Sequence, residues 1–222
     1  MRELEKLNKK HRRKYIFLSV NRYERKKDLA LAIHAMNELK EKLTEEVWNE
    51  CHLVMAGGYD HRVSENVEYY EELRELTTTQ TSAEDLDEHV SFLRSISDRQ
   101  KIQLLRKAFC LLYTPTNEHF GIVPVEAMYC ERPVIATNTG GPLETVANEL
   151  TGYLVEANSA SAFATKMHHL IANPLVHSQM SREARSRVID KFSFLSFKHK
   201  LNRILLSMIN NDEKINKGKK SE

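Results

Sequence analysis

The sequence predicts an α/β fold, built as a parallel sheet with helices on both faces. Six short apolar segments recur along the chain, and longer segments of helical periodicity lie between most of them. This alternation is typical of βα units that feed a parallel sheet. The predicted strands are residues 15–20, 52–56, 90–93, 111–114, 134–137 and 153–155. Polar and glycine-containing motifs follow these strands, at the edge where such sheets bind ligands.

The last third of the chain is predicted to be mainly helical. Helical patterns cover residues 159–173, 174–191 and 195–209, and Pro174 suits the first position of a helix. Upstream, the polar stretches 77–82 and 84–88 are predicted to form one surface loop. From residue 210 the tail is polar, which predicts disorder. The predicted organisation is a basic segment over 1–14, one domain over 15–209 and a disordered tail over 210–222.

The composition is that of a soluble protein, with 41% hydrophobic and 29% charged residues in 222. No apolar run approaches the ~20 residues that a membrane-spanning helix needs. The polar, basic start also lacks the apolar core of a signal peptide. Cys51, Cys110 and Cys130 are odd in number and lie beside apolar segments, which predicts reduced thiols in a cytosolic protein.

Lysine and arginine are concentrated at the two ends of the chain, within residues 1–14 and 214–220. Such runs are usually solvated tails. The alternative is attraction to an anionic membrane surface, at about 1 kcal/mol for each basic residue near it. The net charge of +2 is too small to indicate a nucleic-acid partner.

The strongest chemical signal is a pair of carboxylates, Glu118 and Glu126, around a predicted loop-to-helix junction. The strand before them is closed by Pro115, and helical spacing begins at Gly121. Glu118 is therefore predicted to precede the helix and Glu126 to lie inside it. Carboxylates accept hydrogen bonds from sugar hydroxyls. The alternative is that both are ordinary solvated residues, as most glutamates are.

The start of this helix is a predicted anion site. The amides of Phe120, Gly121 and Ile122 have no helical partner, and the positive end of the helix dipole faces the sheet edge. Gly121 lets a ligand approach the backbone closely. Glu126 lies roughly 7–8 Å along the helix axis. Two carboxylates for hydroxyl groups, flanking a site for phosphate, describe a nucleotide sugar.

These residues resemble a known family. The two glutamates are similar to the E-x7-E motif of retaining GT-B glycosyltransferases of family 4, and other segments match that family in order and spacing. The resemblance covers about residues 15–192 and includes segments 20–27, 55–58, 90–93, 139–146 and 151–155. More narrowly, Asn-Arg-Tyr-Glu-Arg-Lys-Lys, Ala-Gly-Gly-Tyr-Asp and Asn-Glu-His-Phe-Gly-Ile-Val-Pro resemble eukaryotic mannosyltransferases of the dolichol-linked oligosaccharide pathway.

The resemblance implies the Rossmann-like, donor-binding C-terminal half of a two-domain GT-B enzyme. It implies transfer of mannose from GDP-mannose to a dolichol-linked oligosaccharide, with an α-1,3 or α-1,6 linkage, during assembly of the N-glycan precursor. The expected location is the cytosolic face of the endoplasmic reticulum. The family is described as transferring with retention through a front-face route, in which the leaving phosphate assists the acceptor. No cofactor and no metal are expected.

The resemblance assigns Arg22 and Lys27 to the diphosphate of the donor, where cations stabilise the charge of the leaving group. The neighbouring Arg25 and Lys26 make the choice of lysine ambiguous, and spacing favours Lys27. Asp28 occupies the position after the lysine, where the family has glycine.

The carboxylates have separate roles by the same resemblance. Glu118 contacts the transferred sugar and is assigned as catalytic with Arg22 and Lys27, while Glu126 contacts the ribose. The loop and amides between them are contributed by His119, Phe120, Gly121 and Ile122.

The base of the nucleotide is assigned by resemblance to Ile96, Asp98 and Lys101. Asp98 can accept from the N–H groups of guanine, and it can equally be the N-cap of the following helix. Gly57 lies where the backbone approaches a ligand or turns sharply, and loop geometry explains it equally well.

A metal site is not predicted. Asp85 and Asp87 form a D-x-D sequence, the metal-binding motif of another glycosyltransferase fold, but chance explains it better in this acidic stretch. The histidines, including His168 and His169, lack the spacing of metal ligands.

Two alternatives remain open from the sequence. One is a GT-B enzyme with a UDP-sugar donor, since the carboxylate pair is common to both donors. The other is a non-catalytic donor-binding module, because half a cleft can bind the donor without positioning an acceptor.

Overall fold

The fold is a six-stranded parallel sheet, as the sequence predicts. A computed structural model describes residues 13–78 and 86–218. The strands agree with the predicted segments within one residue at each end. They are β1 (Tyr15–Val20), β2 (Cys51–Gly57), β3 (Val90–Arg94), β4 (Cys110–Tyr113), β5 (Val134–Thr137) and β6 (Gly152–Val155).

The strand order is β3-β2-β1-β4-β5-β6. The chain therefore starts at the centre of the sheet, continues to one edge through β2 and β3, and then to the other edge through β4, β5 and β6. Leu18 of β1 pairs with Val54 on one side and Leu111 on the other. The order therefore reverses between β1 and β4. Open α/β sheets bind ligands at such a switch point, beyond the carboxyl ends of the strands.

Helices cover both faces of the sheet. A 3-10 turn (Arg25–Lys27) follows β1. The α-helices in chain order are α1 (Ala30–Lys40), α2 (Glu45–Trp48), α3 (Ser64–Thr78), α4 (Leu86–His89), α5 (Asp98–Lys107), α6 (Ile122–Tyr129), α7 (Pro142–Thr145), α8 (Ala160–Ala172), α9 (Pro174–Phe192) and α10 (Phe194–Gly218).

The core consists of two apolar clusters, one on each face of the sheet. Alternate strand residues enter opposite clusters, as Phe17 and Leu18 of β1 do. The first cluster contains residues of α1, α3 and α8, and the second contains residues of α5, α6 and α9. Complete burial of each large apolar side chain contributes about 1.5–3 kcal/mol. This two-sided burial explains why the strands are continuous apolar runs.

Helix α10 corrects the prediction for the tail. It continues through Gly218, so residues 210–218 are helical rather than disordered. Polar composition prevents burial, but a helix already formed gains one hydrogen bond for each residue added. Between residues 194 and 209, α10 exposes apolar side chains, including Phe194, Phe197 and Leu206.

The predicted loop over residues 77–88 is also partly helical. Helix α3 extends to Thr78, where Thr77 is buried, and α4 begins at Leu86. Residues 1–12 of the predicted basic segment 1–14, residues 79–85 and the last four residues lie outside the described residues. Within the described ranges, no helix combines the length and apolar character needed to cross a membrane.

Candidate functional site

The two predicted halves of the site meet at the carboxyl edge of β1 and β4. Lys27 ends the 3-10 turn after β1, and Glu118 lies in the loop after β4. The ammonium group of Lys27 donates to Glu118 Oε2. The hydroxyl of Thr114 donates to the carbonyl oxygen of Lys27 over 2.8 Å, which ties the two loops together. The fold therefore brings Lys27 and Glu118 together.

The charge of Glu118 is stabilised in this position. The hydrogen bond from Lys27 holds the pKa of the Glu118 carboxyl below its ordinary value. The hydroxyl of Tyr113 donates to the same carboxylate oxygen over 3.3 Å. Burial, with the neighbouring charge of Glu118, raises the pKa of Tyr113. Sequence reasoning missed Tyr113, although its position at the end of β4 places it beside the predicted site.

The three basic residues of the turn have different partners in the structure. Arg25 points to α3, where its Nη2 donates to Glu72 Oε1 over 2.7 Å. Lys26 pairs with Glu24 over 3.1 Å. Of these three residues, Lys27 alone forms an ion pair with Glu118, and it is 9% exposed. The role of Lys27 at the donor diphosphate stays a prediction, and the geometry places this lysine beside Glu118.

Arg22 lies apart from the Lys27–Glu118 pair. Its guanidinium pairs with Glu24 over 2.9 Å, and its side chain is 64% exposed. Glu24 thus holds both Arg22 and Lys26, a role that sequence reasoning did not predict. Asp28, which replaces the family glycine, has a φ of 46°. This left-handed backbone is a conformation that favours glycine.

The loop that carries Glu118 packs against a pair of glycines before α7. The amide of Gly141 donates to the carbonyl oxygen of Glu118 over 2.6 Å. A Cβ on Gly141 would overlap the carbonyl group of Phe120, and Gly140 has a φ of 60°. These glycines therefore permit backbone contact with the loop. On its other side, Phe120 packs edge-to-face on Phe192, with ring centroids 5.8 Å apart.

Helix α6 begins where the sequence predicts an anion site. Gly121 is its N-cap, with a φ of 75°, and Ile122 is its first residue. In the part of the chain that the structure describes, the amides of Phe120, Gly121 and Ile122 donate no hydrogen bond. They remain available to an anion at the sheet edge. His119 is exposed beside them.

Glu126 forms a second ion pair, with a lysine of α5. Its Oε1 accepts from Lys101 Nζ over 2.7 Å. Its Oε2 is buried and has no hydrogen-bond partner among the described residues. A buried acceptor without a partner is uncommon, so this oxygen can accept from a ligand hydroxyl. The structure therefore places Lys101, which the resemblance assigns to the base of the nucleotide, beside Glu126, which it assigns to the ribose.

The other two residues that the resemblance assigns to the base of the nucleotide are Asp98 and Ile96. Ser97, not Asp98, is the N-cap of α5, and it forms a capping box with Gln100. The side chain of Asp98 is 98% exposed and lies 3.8 Å from Lys101. The alternative role of Asp98 as the N-cap is therefore wrong. Ile96 packs against the second core cluster.

Gly57 has a structural reason to be glycine. It ends β2, and a Cβ there would overlap the carbonyl oxygen of Asn21 at the end of β1. The close approach is therefore between two strands, and contact of Gly57 with a donor stays a prediction. No group of three or more His, Cys, Asp or Glu residues that could hold a metal occurs within residues 13–78 and 86–218. Asp85 of the D-x-D sequence lies outside these ranges.

Comparison with known proteins identifies the family and fold. A family model described as "Glycosyl transferases group 1" matches residues 1–187. Among solved structures, Anabaena HepE in complex with UDP has a TM-score of 0.75 at 20% identity, covering 93% of this chain and 51% of that chain. The C-terminal domain of the group 1 glycosyl transferase LpcC from Francisella tularensis has a TM-score of 0.69 at 24% identity. That match covers 87% of this chain and 94% of the LpcC domain.

Curated relatives are more similar in sequence. The alpha-1,3/1,6-mannosyltransferases ALG2 of Mus musculus and Homo sapiens are 46% and 47% identical over 197 residues. Each match covers 89% of this chain and 46% of the relative, so the chain spans about half the length of these proteins. The fold is one half of a GT-B glycosyltransferase. Because the family model covers most of the sequence, the chain belongs to the group 1 glycosyl transferases.

Proposed function

We propose that this chain is the donor-binding domain of a mannosyltransferase that uses GDP-mannose. The acceptor would be a dolichol-linked oligosaccharide, extended through an α-1,3 or α-1,6 linkage in N-glycan precursor assembly. The observation that carries the proposal is the 46% identity, over 89% of this chain, to the mouse alpha-1,3/1,6-mannosyltransferase. Because the chain spans about half of that relative, we assign transfer to the domain together with an acceptor-binding half.

The diphosphate of the donor would bind at the switch point between β1 and β4. Lys27 supplies a nearly buried cation there. The amides at the start of α6, which have no partner within residues 13–78 and 86–218, supply hydrogen-bond donors. Arg22 is exposed, and its guanidinium can leave Glu24 and bind a phosphate group of the donor instead. Preorganised donors of this kind stabilise the charge that develops on a leaving phosphate.

The hydroxyl groups of the donor would bind the two carboxylates. Glu118 lies beside Lys27, where the sugar joins the diphosphate, and accepts from hydroxyls of the mannose. Glu126 has one carboxylate oxygen held by Lys101 and one without a partner among the residues that the structure describes, which suits a ribose hydroxyl. The exposed carboxylate of Asp98 can accept from guanine. The proposed transfer retains configuration at the sugar, with the leaving phosphate taking the proton of the acceptor hydroxyl.

The proposal needs no cofactor and no metal, since the cations and amides of the site supply the positive charge. The basic ends of the chain suit an anionic membrane surface, where a lipid-linked acceptor resides. We place the reaction on the cytosolic face of the endoplasmic reticulum. This location follows from the proposed acceptor.

Calorimetric titration of the purified chain with GDP-mannose tests donor binding, and UDP-N-acetylglucosamine serves as the control ligand. We expect binding of GDP-mannose only, weakened about tenfold or more in Glu126→Gln, because the buried oxygen loses its charge. Glu71→Gln, an exposed residue of α3, is the matched control and should bind as the wild type does. Preferential binding of the UDP-sugar would contradict the proposed donor.

Transfer itself is tested by joining the chain to the N-terminal half of the mouse relative. The hybrid should transfer mannose to a dolichol-linked acceptor, and Glu118→Ala should abolish transfer while the hybrid remains folded. Near-normal transfer by this variant would show that Glu118 is not a site residue.

A further inference from the structure

A carboxylate contacts the cation that we assign to the donor diphosphate. Lys27 donates to Glu118 Oε2, and Tyr113 donates to the same oxygen. Lys27 is nearly buried and, among the residues that the structure describes, forms an ion pair with Glu118 alone. An anion that binds Lys27 therefore arrives directly beside a negative charge.

Glu118 is also held so that it cannot withdraw easily. Its carbonyl oxygen accepts from the amide of Gly141 over 2.6 Å, and its loop packs closely on Gly140. Its carboxylate is 26% exposed, so water screens its charge only partly. The backbone contacts therefore hold the main chain of Glu118, while Lys27 and Tyr113 hold its carboxylate.

The two nucleotides of the reaction differ in charge at this point. In a nucleotide sugar the terminal phosphate is esterified and carries one negative charge. In the free nucleoside diphosphate the terminal phosphate loses a second proton near pH 6. The additional charge lies where the sugar was attached, which is the position beside Glu118 in the proposed arrangement.

We propose that Glu118 determines specificity between the nucleotide sugar and the free nucleoside diphosphate. With the nucleotide sugar bound, the carboxylate accepts a hydrogen bond from a sugar hydroxyl. With the nucleoside diphosphate bound, it repels the additional charge and competes for Lys27. Glu118 thereby favours the substrate over the product and promotes release of the product. This inference rests on the proposed function, because it uses the proposed place of the diphosphate.

Calorimetry at pH 7.5 on the full chain and on Glu118→Gln provides the test, with GDP, GDP-mannose and inorganic pyrophosphate as probes. Glutamine keeps the size of the side chain and an acceptor oxygen but removes the charge. We expect GDP and pyrophosphate to bind about tenfold more tightly to the variant, while binding of GDP-mannose stays constant or weakens. Glu126→Gln removes the same charge from the other ion pair and should leave the ratio of the GDP and GDP-mannose dissociation constants unchanged.

Each outcome distinguishes the inference from the proposed function. An unchanged ratio in Glu118→Gln, when the wild type binds GDP-mannose, overturns the inference and leaves the proposed function intact. A wild-type chain that is folded by circular dichroism but binds neither nucleotide overturns the proposed function. In that case, tighter binding of pyrophosphate to Glu118→Gln than to the wild type still supports the competition between Glu118 and phosphate for Lys27. Equal binding of pyrophosphate to both overturns this competition as well.

Discussion

Lys27 and Glu118 lie 91 positions apart in the sequence and form one ion pair at the carboxyl edge of the sheet. The pair joins the loop after β1 to the loop after β4, the two strands between which the strand order reverses. A second pair, Lys101 with Glu126, joins α5 to α6. Both acidic residues of the motif are therefore held by a lysine from an earlier part of the chain.

The Lys27–Glu118 pair predicts a dependence of stability on pH. The folded-state pKa of Glu118 is below its unfolded value of about 4.3, so the unfolded state binds the proton more tightly. The stabilisation is complete above that unfolded value and is lost as the pH falls through the folded pKa. We expect about 1 kcal/mol or less, because the carboxylate is partly exposed. Urea unfolding at a series of pH values between about 2 and 7 measures it.

The comparison for this experiment is Glu118→Gln, which cannot titrate at this position. The difference in unfolding free energy between wild type and variant should shrink as the pH falls. Glu71→Gln removes an exposed glutamate from α3 and should follow the wild type. A constant difference between wild type and Glu118→Gln at all pH values would contradict the prediction.

A buried tyrosine in the loop after β1 connects that loop to β2 and β3. The hydroxyl of Tyr23 donates to the carbonyl oxygens of Met55 and Leu93, over 3.0 and 3.3 Å, and burial raises the pKa of its phenol. Tyr23→Phe should lower the free energy of unfolding by about 1 kcal/mol, the usual net value of a hydrogen bond. Tyr129→Phe, at an exposed tyrosine, is the control in the same urea titration. Equal stability of the two variants would refute the role of the Tyr23 hydroxyl.

The contact between Gly141 and Phe120 predicts that a single methyl group disturbs the site loop. A Cβ at position 141 would overlap the backbone of Phe120, so Gly141→Ala should destabilise the chain by roughly 1–3 kcal/mol. Gly58→Ala is the control, since its Cβ would meet only the flexible side chain of Arg22, at 3.1 Å. Thermal unfolding of both variants makes the comparison. If Gly141→Ala were as stable as Gly58→Ala, the packing of this loop would need revision.

The cysteines should differ in reactivity. Burial raises the pKa of the Cys51 thiol to about 12 and also raises that of Cys110. Cys130 is only partly buried. Because the thiolate is the reactive form, Ellman's reagent at pH 8 should modify Cys130 first. All three should react in denaturant, and rapid reaction of Cys51 in the native chain would contradict its burial.

Most strands could be predicted from the sequence because they are buried on both faces, whereas the edge strand β3 is only partly buried. A strand buried on both faces is a short apolar run in the sequence, and the polar residues on either side of the run show where the strand begins and ends. The position of Glu118 before α6 and of Glu126 inside it followed from the same local signals. Lys27 could be chosen from its neighbours only by the spacing of the motif that the segment resembles, since three basic residues in a row look alike in sequence.

The ion-pair partners could not be predicted, because they depend on which strands become neighbours. Nothing near Glu126 in sequence indicates Lys101, which reaches it from another helix. Arg22 and Glu24 are close in sequence, so their pairing is local. Whether Arg22 prefers Glu24 or a phosphate of the ligand depends on how exposed both side chains are, which the sequence does not give. The helical course of residues 210–218 was missed because polar composition indicates a lack of burial rather than a lack of helix.

The exposed apolar face of helix α10 affects measurements of stability and binding on this chain. Its exposed residues between 194 and 209 include Phe194 at 79%, Phe197 at 58% and Leu206 at 60%. Monomeric proteins rarely keep so large an apolar surface in water. We expect the isolated chain to self-associate as its concentration rises, which makes melting temperatures and binding stoichiometries concentration-dependent. Dilution series and sedimentation measurements should therefore define the working range before any affinity is compared.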